Sequence, residues 1–438
     1  MPVSIHSGLR ATALSLALAA TWVAPPHVLA GPVTVPGAAP PASATPAGRE
    51  PELAEAVAHL QAQQWDRAED AFRRLLQRVP QHPRALMGLG ELAQQRGQPA
   101  EAGRHLQQAA QVAPQDLAVQ LALARWLVTQ GRFAEAEPVF RAVPERHPLA
   151  YTAQRELGDL FLHGLKKPEP ALRAYQRAAQ LQPRAAAARF GIAMALLAQD
   201  KKDAALVELQ AAAKLAPKDP ALPHMAGRVL ASQQQLKAAA QQFSQALALD
   251  PQFLPALSDR ADVLAELRDD KAALADLTRL TQLQADNPTA WVKRGMVAQR
   301  SGRLDDARSS YTQALKLNDG LAVAHNNLAS MALERQEPPA QALASAQRAV
   351  ALAPQVPQFQ STLGWALWRS GQTGPALAAL EKAAQLGPGL PEIQARLGEL
   401  HEAMGQKAQA KAAYQKALAS GSDFPQATSV RRRLAALP

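Results

Sequence analysis

Cysteine is absent from all 438 residues. That excludes disulfide bonds, thiol catalysis and lipidation of an N-terminal cysteine. The ten histidines never fall three or four residues apart, the spacing at which one helix face presents two metal ligands. His401-Glu402 is followed by Gly405 where a zinc protease requires its second histidine. Gly88 and Gly90 form a partial glycine pattern, but inside a helical stretch rather than between a strand and a helix, so they make no phosphate cradle. No catalytic residue, metal site or cofactor is expected, and the chain reads as non-enzymatic.

Long apolar runs are scarce as well. Ala11–Ala24 is uncharged and mainly apolar, follows Arg10 and ends at Pro25-Pro26. It is too short for a bilayer span, which takes about twenty residues, and no later segment is long enough. Val28-Leu29-Ala30 offers small residues for cleavage before Gly31, so residues 1–30 are expected to be a secretory signal peptide and the mature protein to be periplasmic. Retention of the segment as an uncleaved anchor is the alternative. Residues 31–48 carry no charge and five prolines, which predicts an extended, solvated linker.

The formal net charge is +10 at pH 7. A basic balance raises nucleic acid as a partner. Here the cations are scattered among acids, as where Glu69 and Asp70 adjoin Arg73, Arg74 and Arg78. Export would also remove access to nucleic acid, so none is expected. An anionic polysaccharide, an acidic protein or a lipid surface fits so weak a bias better.

From Arg49 to Phe424 one pattern recurs about every thirty-four residues, and alanine marks the same place in each copy: Ala68, Ala102, Ala136, Ala171, Ala205, Ala239, Ala273, Ala307, Ala342, Ala376 and Ala410. An even period of this length denotes a stacked repeat array. In one copy Leu86, Leu89, Gly90 and Ala93 lie on one face of a helix, Gly97 and Pro99 break it, and Ala102, Leu106 and Ala109 line a second helix that stops before Pro114. Each copy is therefore a helical hairpin, and stacking of such hairpins gives stability without disulfides.

The middle of the first helix is always small: Ala56, Gly90, Ala124, Gly158, Ala193, Gly227, Ala261, Gly295, Ala329, Gly364 and Gly398. The second helix supplies Phe72, Leu106, Phe140, Tyr175, Leu209, Phe243, Leu277, Tyr311, Leu380 and Tyr414 to fill the space, with Ala346 the exception and a cavity or looser packing expected there. Glycine inside a helix costs roughly 1 kcal/mol against alanine, and close helix packing is the expected compensation. Two copies gain one residue, near Lys166–Pro170 and Pro338–Gln341, expected as lengthened surface turns. Gln426–Leu437 is expected to form a capping helix with Val430, Leu434 and Leu437 on one face and Arg431, Arg432 and Arg433 largely off it.

The small residue of the first helix, the alanine and aromatic of the second, and a closing proline at Pro80, Pro114, Pro148, Pro183, Pro217, Pro251, Pro354 and Pro388 together resemble the tetratricopeptide repeat family. The resemblance covers residues 49–424. It implies an all-α, right-handed superhelical solenoid of about eleven hairpins, closed by a capping helix in residues 425–438. It also implies that the first helices line a concave, partner-binding groove, whose exposed places include Arg125, Arg155, Phe190, Met194, His224, Arg228, Asn326, Asn327, Trp365 and Arg369, with Met87, Asp159, Asp262 and Met296 beside them.

Family members that hold an extended peptide by its backbone repeat asparagine at one place; here Asn327 occupies it, while Glu156, Asp259, Lys293 and Arg396 take its equivalents. The basic clamp by which some relatives capture a C-terminal carboxylate is not recognisable. Trp65, Trp291 and Trp368 match packing places and are expected in the core, while Trp365 lies one turn earlier than Trp368 on the groove side. A binding scaffold serves many systems. The expected role is an adaptor that binds another envelope protein or peptide, similar to the exported repeat proteins that accompany exopolysaccharide or cellulose secretion. The alternatives are a periplasmic assembly chaperone for outer-membrane, pilus or cytochrome components, and direct binding of an anionic glycan.

Overall fold

A computed structural model describes residues 51–437 apart from 145, 146, 148 and 422. The expected signal peptide, the linker and Pro148 lie outside the described residues. Among the described residues every regular element is helical, and two compact units form, one ending at Val229 and the other beginning at Leu230.

The first unit holds the hairpins α1 (Pro51–Gln61) with α2 (Trp65–Arg78), α3 (Pro83–Gln95) with α4 (Pro99–Val112), α5 (Leu117–Thr129) with α6 (Phe133–Arg141), α7 (Ala150–Asp159) with α8 (Pro168–Leu181), and α9 (Ala186–Leu197) with α10 (Lys202–Leu215). Helix α11 (Ala221–Ser232) crosses the boundary, and α12 (Leu236–Leu249) belongs to the second unit. There follow α13 (Leu254–Glu266) with α14 (Asp270–Leu283), α15 (Pro288–Arg300) with α16 (Leu304–Leu317), α17 (Ala322–Glu334) with α18 (Pro339–Leu352), α19 (Pro357–Arg369) with α20 (Thr373–Leu386), α21 (Pro391–Ala403) with α22 (Lys407–Ser420), and lastly α23 (Ala427–Ala436). The all-α stack of hairpins is as expected, except that the sixth copy divides its helices between the units.

Helix starts follow from local chemistry. Asp116 Oδ1 accepts from Ala118 N at 3.0 Å, Asp269 Oδ1 from Ala272 N at 3.1 Å and Asn287 Oδ1 from Ala290 N at 3.2 Å, each satisfying an amide that the helix leaves unpaired. Proline occupies the first position of α3, α4, α8, α15, α18, α19 and α21, where its missing N–H costs nothing. Pro99 therefore opens α4 rather than breaking α3. Pro138 falls inside α6, which runs for 9 residues where its counterparts run for 14.

The first helices stop on a left-handed residue as regularly spaced as the alanines: Gln63, Gly97, Gly131, Lys166, Asp200, Gln234, Arg268, Gly302, Gln336, Gly371 and Gly405. The following amide closes the helix, as from Gln98 N to Ala93 O at 2.9 Å. Side chains at six of these places bear a cost of roughly 1–2 kcal/mol each, so the turn is imposed by the stacking rather than by glycine.

The two extra residues are absorbed differently. Near Pro338 the helix closes normally, Glu337 N to Ala332 O at 2.9 Å, and Pro338 is added to the turn before α18, as expected. Near Lys166 the expectation fails: α7 continues into a π turn at Leu160–Gly164, with Leu165 N to Leu160 O at 2.9 Å and Lys167 N to Phe161 O at 2.7 Å. The additional residue widens the helix end and leaves the turn at its usual length.

The cores lie between helices, small against large. A β-carbon on Gly90 would stand 2.6 Å from Leu106, one on Gly158 2.6 Å from the Tyr175 ring, and one on Gly295 2.6 Å from the Tyr311 ring. Tyr175, Tyr311 and Tyr414 all lie over glycine, which lets the ring cross the helix backbone and carry its hydroxyl through to Asp159, Gln299 and Glu402 at 2.7, 2.9 and 2.7 Å. Close approach also occurs between hairpins, where Trp126 of α5 covers Gly103 of α4 and donates Nε1–H to Pro99 O at 3.0 Å. Ala346 is fully buried among Ala329, Ala332, Leu333, Ala342 and Ala366, with Leu343, Leu363 and Trp365 against them. Helix α23 packs Val430, Leu434 and Leu437 against Ala395, Tyr414 and Phe424, as a cap should. Arg433 is not spent on solvation: its Nη1 donates to Glu402 Oε2 at 3.0 Å.

Candidate functional site

First helices of successive hairpins touch within each unit, as α3 with α5 in the first and α19 with α21 in the second, so their open sides form a row of side chains in each unit. The residue just after the small central one then meets the residue two before the small one of the next helix, 31 positions later. Arg125 of α5 directs Nε to both carboxylate oxygens of Glu156 on α7, each at 3.0 Å. Lys293 Nζ of α15 donates to Asp262 Oδ2 on α13 at 2.6 Å. Trp365 of α19 takes the guanidinium of Arg396 from α21 over its ring, 4.5 Å from the centroid. The later cation also reaches a serine of the earlier helix, Lys293 to Ser258 Oγ at 3.3 Å and Arg396 to Ser361 Oγ at 3.0 Å.

Burial sets the electrostatics of this row. Desolvation holds the carboxyls of Glu91, Asp159, Asp262, Glu334 and Glu399 above the ordinary carboxylate range, opposed at Glu91 by Arg125, at Asp159 by Arg155 and the Tyr175 hydroxyl, and at Asp262 by Lys293. These acids and Arg396 belong to the row no less than the expected groove residues. The signal for two of these pairings was opposite charge 31 positions apart, and for the third an aromatic and a cation at the same spacing.

The expected groove residues separate into three kinds. Arg125 and Arg155 are spent internally, the second on Asp159 Oδ2 at 2.9 Å. Asn327 Nδ2 donates to the Tyr311 hydroxyl at 3.0 Å and Asn326 Nδ2 to Asn327 Oδ1 at 3.2 Å, leaving Asn326 Oδ1 buried without a partner among the described residues. His224 is 8% exposed rather than open, because α11 is buried around its whole girth from Leu222 to Gly227; Arg228 beyond it is half-buried. The residues with free surface are Phe190 and Met194, half-buried on α9, and Trp365 with Arg369, one turn apart on α19. Arg369 is exposed and makes no ion pair among the described residues. Trp65 and Trp368 pack against core clusters as expected, but Trp291 does not: it is half-exposed, with Nε1 donating to Ala285 O at 2.9 Å and Arg294 lying 5.4 Å over the ring. Its place at the start of α15 falls at the edge of the stack rather than between helices.

Among the described residues no group of three histidine, aspartate or glutamate side chains is placed to hold a metal ion, and no helix is long and apolar enough to cross a membrane. The first unit offers the apolar patch of Phe190 and Met194, and the second unit separately offers a half-open indole with a guanidinium one turn away.

Two family models, both described as tetratricopeptide repeat, match the chain. One covers residues 93–157 and 367–434, and the other covers 53–116, 164–220, 292–357 and 331–391. Curated relatives match short stretches. DnaJ homolog subfamily C member 3 of Homo sapiens is 38% identical over 77 residues, 18% of this chain and 15% of that protein. The heat shock protein sti1 homolog of Schizosaccharomyces pombe is 35% identical over 89 residues, 20% of this chain and 15% of that protein. The chain thus spans about 15% of the length of these relatives. Similar solved structures include a tetratricopeptide repeat protein from Parabacteroides merdae, with TM-score 0.46 and 18% identity over 57% of this chain and 98% of that one. Another is YrrB, titled a TPR protein with an unusual peptide-binding site, with TM-score 0.40 and 22% identity over 43% of this chain and 96% of that one.

Proposed function

We infer the function from one established premise: the chain belongs to the tetratricopeptide repeat family. Such repeats are scaffolds that bind proteins or peptides in a groove. We propose that this chain binds a segment of another protein along its first-helix row, without catalysing a reaction. The observation that carries this reading is the pair Trp365 and Arg369, one half-open and one unpaired, on the row of the second unit, where Lys293 and Asp262 neutralise each other. An apolar side chain on the Trp365 indole and an acidic one beside Arg369 describe the segment that fits, aromatic and arginine anchors being the usual centres of such interfaces.

The setting we propose is the periplasm, on the strength of the apolar run Ala11–Ala24 and the small residues before Gly31. Within the envelope the partner is a protein supporting exopolysaccharide synthesis or secretion. The test is site-specific photocrosslinking from position 369 in the full-length chain expressed in its native host. Capture of a defined envelope protein, abolished by Trp365→Ala and retained when exposed residues of α14 or α16 are changed, is the expected result. Equal capture by Trp365→Ala would end the reading. For the setting, N-terminal sequencing of the fractionated protein should begin at Gly31.

A further inference from the structure

The outer surface of the second unit carries a repeated feature that the first-helix row does not use. A shallow cleft of about 420 Å³ lies along α14, lined by Lys271, Leu274, Ala275, Thr278, Arg279 and Gln282 and closed by Arg303. A second, of about 390 Å³, lies along α16, lined by Asp305, Arg308, Ser309, Thr312, Gln313 and Lys316 and closed by Trp291. Every α14 position has its counterpart thirty-four residues later on α16, from Lys271 and Asp305 to Gln282 and Lys316. The clefts are one structural motif presented twice, on adjacent hairpins.

Their chemistry is cationic, hydroxylated and aromatic. Lys271, Arg279 and Arg303 line the first cleft with no carboxylate among its lining residues, and Arg308 and Lys316 line the second together with Asp305, which is held by Arg335 Nη1 at 3.0 Å. Arg303 is committed to Asp306 at 2.7 Å and Arg308 to Glu337. Lys271, Arg279 and Lys316 are exposed and make no ion pair among the described residues. Between the cations stand Thr278 and Thr312 at equivalent places, Ser309, Gln282 and Gln313, donors and acceptors suited to hydroxyl groups. Trp291 leaves part of its ring on the second cleft.

We propose that these clefts bind an acidic polysaccharide, one carboxylate-bearing stretch of the chain in each. A polymer is long enough to reach both clefts, which repeat their positions and the pair Thr278 and Thr312 while differing in where their cations stand. Each cleft is open and shallow, so single-site affinity is low, and occupation of both at once supplies the avidity. The free ammonium and guanidinium groups meet the carboxylates, the threonine and glutamine side chains meet the hydroxyls, and the indole meets a sugar face. An acidic polypeptide would find the cations but no strand edge to pair its backbone, every regular element among the described residues being helical. This site is independent of the protein-binding row, so either can fail alone.

The test uses the full chain with polygalacturonate, neutral dextran of similar length and polyglutamate as probes. Polygalacturonate should bind, weaken steeply with added salt, and bind about tenfold more weakly to the variant carrying Lys271→Gln, Arg279→Gln and Lys316→Gln. These side chains are exposed and unpaired, so circular dichroism should not change. A second variant, Thr278→Val with Thr312→Val, should lower affinity while keeping the salt dependence, and Trp365→Ala should bind as the unaltered protein does. Absence of polygalacturonate binding, unchanged binding by either cleft variant, or equal binding of dextran or polyglutamate would overturn the proposal.

Discussion

Asn327 donates from Nδ2 to the Tyr311 hydroxyl at 3.0 Å, and that hydroxyl in turn donates a hydrogen bond to Gln299 Oε1 at 2.9 Å. A residue placed by sequence where relatives hold peptide backbone is thus tied into the packing of α15, α16 and α17. The ring beneath is fully buried. Loss of the hydroxyl would strand both partners, so Tyr311→Phe should cost about 1–3 kcal/mol. Since long arrays do not unfold in one step, the measurement is hydrogen exchange at the amides of α15 to α17. Unchanged protection there, with the ring still packed, would show that the network contributes nothing.

Glycine opposite tyrosine predicts a difference between two otherwise similar substitutions. A β-carbon at position 158 meets the Tyr175 ring, which is held by Asp159, whereas one at position 364 meets Leu380, a side chain able to change rotamer, and stands 3.1 Å from Ala376 O. Ala193 and Ala261 already occupy equivalent places in copies with leucine in the second helix. Gly158→Ala should therefore destabilise its hairpin by about 1–3 kcal/mol through overpacking. Gly364→Ala should be close to neutral, its strain offset by a propensity gain of roughly 1 kcal/mol. Equal losses of hydrogen-exchange protection in the two hairpins would contradict the small-to-large account.

The left-handed turn residues make a third comparison. Gln336, with φ of 56°, bears a cost that glycine escapes. Gln336→Gly should raise local stability by up to about 1 kcal/mol, and Gly302→Ala should lower it by roughly 1–2 kcal/mol. Both are surface positions with no core contact to confuse the reading, and hydrogen-exchange protection around the two turns should move in opposite directions.

Asp262 supplies the pH dependence. Desolvation holds its carboxyl above the ordinary value of 3.8 despite Lys293 at 2.6 Å. A group whose folded value exceeds its unfolded one stabilises below the unfolded value, and that share is lost as pH rises through the folded value. Removal of the attracting cation by Lys293→Ala should push the midpoint higher still. Carbon-detected titration of the Asp262 carboxyl measures this; a midpoint at or below 3.8 in the variant would refute the assignment.

Much of this architecture was legible without coordinates. The alanine series fixed the period, the small residues of the first helices located the close approach of their second-helix partners, and Val430, Leu434 and Leu437 marked the cap. Three things escaped that reading. The series of left-handed turn residues is carried by glutamine, lysine, aspartate and arginine as often as by glycine, so composition did not reveal it. The residue added near Lys166 entered a helix end rather than a turn, because an extra carbonyl can be bonded within a π turn. His224 and Trp291 exchanged the environments expected of them, one buried and the other half-open.

Hairpin identity is local: helix periodicity, small residues and proline act within thirty-four positions, and any chain bearing them must bury one stripe against its neighbour. The fate of the surface charges is not local. Whether Arg125 waits for a partner or holds Glu156, whether Trp365 lies bare or under Arg396, and whether Lys271 and Arg279 share a cleft with Arg303 depend on how one hairpin is set against the next. Hydrogen-bonded contact and ring stacking act over a few ångströms and exposed charges are screened over about 8–10 Å, so only the stacked structure decides which groups are satisfied and which remain open to a ligand.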